Sequence, residues 1–140
     1  MHGEGLNEFR MPIQEVNQTT EAIIGAAIEV HRHLDPGLLE SANEDCLCHE
    51  LNLRNIDFER QIPIPVIYKG LKLDCSYRID LLAKNEVVVE LKAVDNLKPI
   101  HEAQTLTYMR LGGWKVGLII NFNVPILVKG IKRLVLGFKE

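Results

Sequence analysis

The sequence predicts a single α/β (α+β) domain, and three observations predict it. The chain has 140 residues, a length that folds as one domain and buries about two-thirds of the surface its unfolded form exposes. Apolar residues recur at helical spacing in the first third, whereas β-branched runs bounded by turn residues dominate the remaining two-thirds. No repeat, linker or low-complexity stretch divides the text. The predicted order is α-α-β-β-β-β-α-β-β, a sheet covered by helices.

Residues 1–17 are polar and without period, and are expected to form a flexible N-terminal arm, with residues 18–140 the folded domain. Polar cap candidates Gln18, Thr19, Thr20 and Glu21 precede Ile23, Ile24, Ala27, Ile28, Val30 and Leu34, which share helical spacing. Asp35-Pro36-Gly37 ends that helix, and a second runs from about Leu38 to Leu53. Phe58 to Ile67 and Leu71 to Leu73 flank a glycine-containing turn and read as a hairpin. Pro63 and Pro65 lack ladder donors, so that strand is interrupted or lies at an edge. Tyr77 to Ala83 and Val87 to Val94 are further strands. Pro99 and Gly112-Gly113 bracket a third helix. Lys115 to Phe122 is a strongly apolar strand, and Ile126 to Phe138 a closing strand or hairpin broken at Lys129-Gly130.

Composition narrows the class. Hydrophobic residues at 46% and charged residues at 25% are ordinary globular usage. No apolar run approaches the roughly 20 residues that span a bilayer, and the N-terminus lacks the apolar core of a secretory signal. A cytoplasmic protein with no membrane partner is expected. Cys46, Cys48 and Cys75 match no common zinc spacing and are expected as reduced, mostly buried thiols. A net charge of −3 argues against an all-over basic coat for nucleic acid but leaves room for a local basic groove.

The informative stretch is RIDLLAKNEVVVELK, residues 78–92, where charges interrupt two apolar strands. Charges in such strands are costly unless paired or used. A short loop centred on Asn85 would set Asp80 opposite Glu90 and Arg78 opposite Lys92. Cross-strand partners share a face with Cβ atoms about 4.5–5.5 Å apart. Lys92 then shares the face of Glu90, and Ile79, Leu81, Val89 and Leu91 pack the opposite one. Two carboxylates so close need a cation between them or a shared proton. Spacing alone leaves three readings: a cross-strand ion-pair cluster, a Mg²⁺ site with Lys92 acting on water and phosphate and Arg78 contacting a neighbouring phosphate, and a glycosidase carboxylate pair. No aromatic-rich sugar cleft supports the last.

Asp80 followed by Glu90-Leu91-Lys92 resembles the D…ExK core of the PD-(D/E)XK nuclease superfamily. AIEVHRHLDPGLLES, LDCSYRIDLL, VVVELKAV, PIHEAQTLTYMR and VGLIINFNVP are similar, in order, to the small bacterial GxxExxY family of that superfamily. The likeness covers roughly residues 19–137. It implies a restriction-endonuclease-like core, a central mixed β-sheet flanked by helices. It also implies a metal-dependent nuclease using Mg²⁺ or Mn²⁺, with nucleic acid as partner, DNA ahead of RNA, and a homodimer suited to cutting both strands of a duplex. Asp80 and Glu90 would be metal ligands, joined by the Leu91 carbonyl and by Glu40 as ligand or water contact, with Lys92 the catalytic lysine. Gln104 and Tyr108 match a Q-x-x-x-Y signature beside the active site, and His101 lies three residues before Gln104 as a candidate substrate contact. Asn43 stands where the family has tyrosine, which removes one substrate contact. The alternative is a catalytically weak or inactive module on the same fold that binds nucleic acid or protein. Each outer residue also has a plainer role: Glu40 at a positive helix end, Gln104 and Tyr108 at a core edge, His101 at a helix start, and His31 and His33 at a helix C-terminus.

Overall fold

The computed structural model describes residues 3–73 and 77–137, with side chains from residue 15 onward. Cys75 and Phe138 lie outside the described residues. Among those described are α1 (Gly3–Leu34), α2 (Glu40–Leu53), β1 (Phe58–Pro63), β2 (Val66–Tyr68), β3 (Leu71–Leu73), β4 (Arg78–Ala83), β5 (Val87–Lys92), α3 (Pro99–Gly112), β6 (Val116–Asn121), a 3₁₀ turn (Leu127–Gly130) and β7 (Ile131–Val135). Five strands form one mixed sheet in the order β1-β4-β5-β6-β7, in which only β5 and β6 run parallel. The parallel step needs a long crossover, and α3 supplies it.

The expected irregular arm gives way to helix: α1 begins at Gly3, so residues 3–17 continue it. Leu6, Glu8, Arg10, Met11 and Gln14 are good helix formers, and a helix needs no apolar stripe to form. Further along, Ile23, Ala26, Ala27 and Val30 are buried in the core that α1 and α2 share with Leu81, Val89, Leu91, Leu118 and Ile120. Ile79, Leu82, Val88, Ile119, Tyr108 and Met109 form a second core on the α3 side. β6 is buried on both faces, which is why its sequence reads as an unbroken apolar run. Gly117 lets α3 approach closely, since a Cβ there would lie 2.7 Å from the Met109 sulfur. His31 is buried, with its Nε2 2.7 Å from the Val124 carbonyl, tying α1 to the loop after β6. None of the described helices is long and apolar enough to cross a membrane.

Two further expectations change. The run from Phe58 to Ile67 is not one strand paired with Leu71 to Leu73. β1 pairs instead with β4 at the sheet edge, and β2 with β3 as a separate ribbon. Pro63 and Pro65 flank Ile64 and remove donors at alternate positions, so the ladder stops there and the chain leaves the sheet. Lys69 and Gly70, both at positive φ, make the two-residue turn of that ribbon. Ile79 also does not share the face of Leu81, because β4 changes face around Asp80.

The turn between β4 and β5 forms as expected. Lys84 (φ 50) and Asn85 (φ 56) are its centre, and the Glu86 N–H donates to the Ala83 carbonyl at 2.9 Å. This turn type matches the twist of the flanking strands. The register is Leu81 to Val89, Leu82 to Val88 and Ala83 to Val87, symmetric about Asn85.

Candidate active site

Beyond the Leu81–Val89 pair the β4–β5 ladder stops, and a side chain replaces it. Asp80 Oδ2 accepts the Leu91 N–H at 2.8 Å, which lodges the carboxylate between the strands. On its other flank, β1 sets Gln61 between the Arg60–Leu81 and Ile62–Ile79 pairs, at φ 53. A non-glycine residue at positive φ inside a strand is strained and persists only when its surroundings hold it. Here the Gln61 amide donates to both oxygens of Glu44 at 3.2 Å, and Arg60 donates to Glu44 at 2.8 and 3.1 Å and to Asp45 at 2.7 Å. α2 is thereby tied to β1 beside Asp80.

Glu90 is 5% exposed and its Oε1 has no hydrogen-bond partner. Burial first, then the charge and side chain of Asp80, push its carboxyl up to about 9, against an opposing pull from Lys92. The N–H and C=O of one residue in an extended strand point the same way. The Leu91 carbonyl therefore faces the same side as the Leu91 N–H, toward Asp80. Lys92 ends β5, half-buried, with its own carbonyl accepting the Phe122 N–H at 2.9 Å. Glu40, the first residue of α2, lies against the Ala93 backbone and within reach of the Lys92 and Asp80 charges; its partial burial raises its carboxyl above the ordinary value. From α3, Tyr108 is buried close enough to Glu90 to feel its charge. Burial and then Glu90 raise its phenol, and the neighbouring Gln104 side chain opposes them.

The structure therefore brings Asp80, Glu90, Leu91, Lys92, Glu40, Gln104 and Tyr108 around one end of the sheet. The β4–β5 ladder ends at Leu81–Val89, so the expected pairings of Asp80 with Glu90 and of Arg78 with Lys92 do not form. On its other side Arg78 pairs with Pro63 in β1, and its Nη1 donates to the Gln61 carbonyl at 3.3 Å. None of the ion pairs among the described residues involves Arg78, Asp80, Glu90 or Lys92, which removes the ion-pair cluster. His101 serves the start of α3, where its Nδ1 accepts the Lys98 N–H at 3.0 Å.

Sequence reasoning passed over two supports. Asn121, buried and in register with Lys92, donates to the Val94 carbonyl (2.9 Å) and accepts the N–H groups of Val94 (3.0 Å) and Asn123 (3.2 Å). It staples the chain leaving Lys92. The signal was an amide ending an apolar strand, in the text LIINFN. The Glu44–Arg60–Gln61 network carried no sequence signal, because its members come from a helix and a strand far apart in the chain.

A divalent cation fits this site. An orphaned, buried carboxylate oxygen next to a second carboxylate is the donor set that a hard cation satisfies. Among the described residues, no three acidic, histidine or cysteine side chains converge on one point. Two carboxylates, a backbone carbonyl and water would be the donor set, oxygen ligands of the kind a hard divalent cation takes.

Searches of curated proteins and of solved structures found no match. The family model described as the PD-(D/E)XK nuclease superfamily matches residues 17–134, a span that takes in both carboxylates, the lysine and all three helices at least in part. With a mixed five-stranded sheet flanked by helices, as in the restriction-endonuclease-like fold, the chain belongs to the PD-(D/E)XK nuclease superfamily.

Proposed function

We propose that this protein is a divalent-cation-dependent nuclease that hydrolyses phosphodiester bonds, of DNA before RNA. The observation that carries this reading is the Asp80–Glu90 pair beside Lys92, with one buried carboxylate oxygen left without a partner. Asp80, Glu90 and the Leu91 carbonyl would hold Mg²⁺ or Mn²⁺, which when bound neutralises charge on the phosphate and acidifies a water. Lys92 orients the attacking water and, as a cation, offsets negative charge developing on the phosphoryl oxygens. Glu40, within reach of the Lys92 charge, would receive a water hydrogen bond. Gln104 and Tyr108 hold the strand next to the scissile phosphate. The ordered motifs around Gly37-Leu38-Leu39-Glu40 support the narrower GxxExxY family. Asn43, in place of that family's tyrosine, is buried within α2, so its role is packing rather than contact with substrate.

The test is cleavage of labelled single- and double-stranded DNA and RNA in Mn²⁺, with identically purified Glu90→Gln alongside. Cutting by the wild type, reduced roughly a thousandfold or more in the variant, is expected, since losing a ligand forfeits several kcal/mol of charge stabilisation. Equal cutting in both lanes, or none in either, would overturn the reading.

A further inference from the structure

Beside the carboxylates lies a groove of about 420 Å³ between α3 and the β2–β3 ribbon. It falls in the size range of small-ligand sites, roughly 300–1,000 Å³. Tyr108 lines the groove and lies close enough to Glu90 to feel its charge, which sets one wall of the groove next to the carboxylates. Tyr77 forms the other aromatic wall, its ring centroid 6.2 Å from that of Tyr108 and tilted by 49°. Tyr77 is 47% exposed and Ile100, at the rim, 67%, so the groove presents apolar surface to solvent. Gln104 and Thr107 contribute an amide and a hydroxyl. Among the described residues no charged side chain lines the groove, so it does not suit a phosphate. The adjoining ribbon, VIYKGLKL, carries two lysines and no acidic residue in a chain of net charge −3, with Lys69 Nζ 5.3 Å from the Tyr68 ring centroid. The ribbon is therefore suited to an anion whose uncharged part enters the groove.

We infer that this groove takes one unpaired nucleobase next to the scissile phosphate, stacked on Tyr77 and edged by Gln104 and Thr107, so that the substrate is single-stranded nucleic acid. The inference rests on the nuclease reading for the place of the phosphate. Bases in an intact duplex are paired and stacked and do not reach a lateral apolar groove. An aromatic platform accepts any base, because every base has a π-face. Stacking of one base on one ring is worth about 1–3 kcal/mol.

The test measures anisotropy of labelled oligothymidylate, oligouridylate and a blunt DNA duplex of equal length. All are bound to Glu90→Gln protein so that cleavage does not intervene. Single strands are expected to bind at least about tenfold more tightly than the duplex. Adding Tyr77→Ala should weaken single-strand binding by roughly 5- to 150-fold, the stacking range converted at about 1.4 kcal/mol per decade, and Tyr77→Phe should restore it. Ile100→Glu at the rim is a second variant, expected to weaken binding in the same direction by repelling the strand. Binding unchanged in both Tyr77→Ala and Ile100→Glu would overturn the inference. So would a Tyr77→Ala effect confined to oligomeric state, which would give the groove to a second copy of the chain. Cleavage by protein with Glu90 intact is scored separately. Cutting without any Tyr77 dependence removes the groove and keeps the nuclease, whereas Tyr77-dependent binding without cutting keeps the base groove and removes the nuclease.

Discussion

The β4–β5 hairpin buries a lone carboxylate oxygen at each end, and the two ends differ in what surrounds it. Among the described residues the buried side-chain atoms without a hydrogen-bond partner are Glu86 Oε2, at the turn, and Glu90 Oε1, where the strands part. Around Glu86 stand Glu15, Lys84 and Thr19; its carboxyl is raised by burial and by Glu15, and Lys84 and Thr19 oppose that. Around Glu90 stand Asp80, lodged against the Leu91 amide, together with Lys92 and Tyr108, while Glu40 faces Asp80 and Lys92 from α2. Burial without a partner is thus common to both ends and does not make a site. A second carboxylate fixed by the backbone, a lysine on the same strand end and a path for substrate make the difference.

The comparison breaks most sharply on metal affinity. Mg²⁺ or Mn²⁺ at about a hundred times its Kd should stabilise the protein by about 2.7 kcal/mol. That is roughly 5–11 °C in melting temperature at this chain length. Asp80→Asn should abolish the shift and Glu86→Gln should retain it. A shift that survives Asp80→Asn, or is lost in Glu86→Gln, would move the cation to the wrong end of the hairpin.

The next effect concerns pH. Because the Glu86 carboxyl is raised above 4.5 in the fold, the folded state holds its proton where the unfolded chain has lost it. The penalty is absent below the ordinary carboxylate range and grows as pH rises through it toward the raised folded value. Glu86→Gln should therefore melt higher than wild type at pH 7, by the order of a few degrees, with the gap closing as pH is lowered to about 4. A constant gap across that range would mean that packing, not ionisation, distinguishes the two proteins.

The smallest effect tests the turn that joins β4 to β5. Asn85 has φ 56, a conformation asparagine and glycine tolerate. Asn85→Ala should cost about 1–2 kcal/mol in thermal unfolding, and Asn85→Gly close to nothing. Equal losses in both would show that the Asn85 side chain, rather than the backbone conformation, stabilises the turn.

Much of the site was legible because it is local. Asp80, Glu90 and Lys92 lie in neighbouring strands joined by a short turn at residues 84–86, so turn chemistry was enough to bring them close. The ladder ends at Leu81–Val89, however, and Asp80 meets the Leu91 N–H instead of pairing with Glu90. Edge placement of the strand holding Pro63 came from its missing donor. The face of Ile79 was not legible, since it depends on Gln61 in the neighbouring strand adopting a left-handed conformation held by Glu44 of α2. Nor was the role of Arg78, whose partner is a backbone carbonyl in β1.

By itself, then, the sequence determined the periods, the turns and the carboxylate pair, which are consequences of near neighbours in the chain. The tertiary structure alone decided which strand flanks Asp80, how α2 is anchored by Arg60, and that α3 and the β2–β3 ribbon enclose a groove beside Tyr108. Those depend on contacts between segments tens of residues apart, where side-chain packing and paired charges, not local propensity, set the geometry.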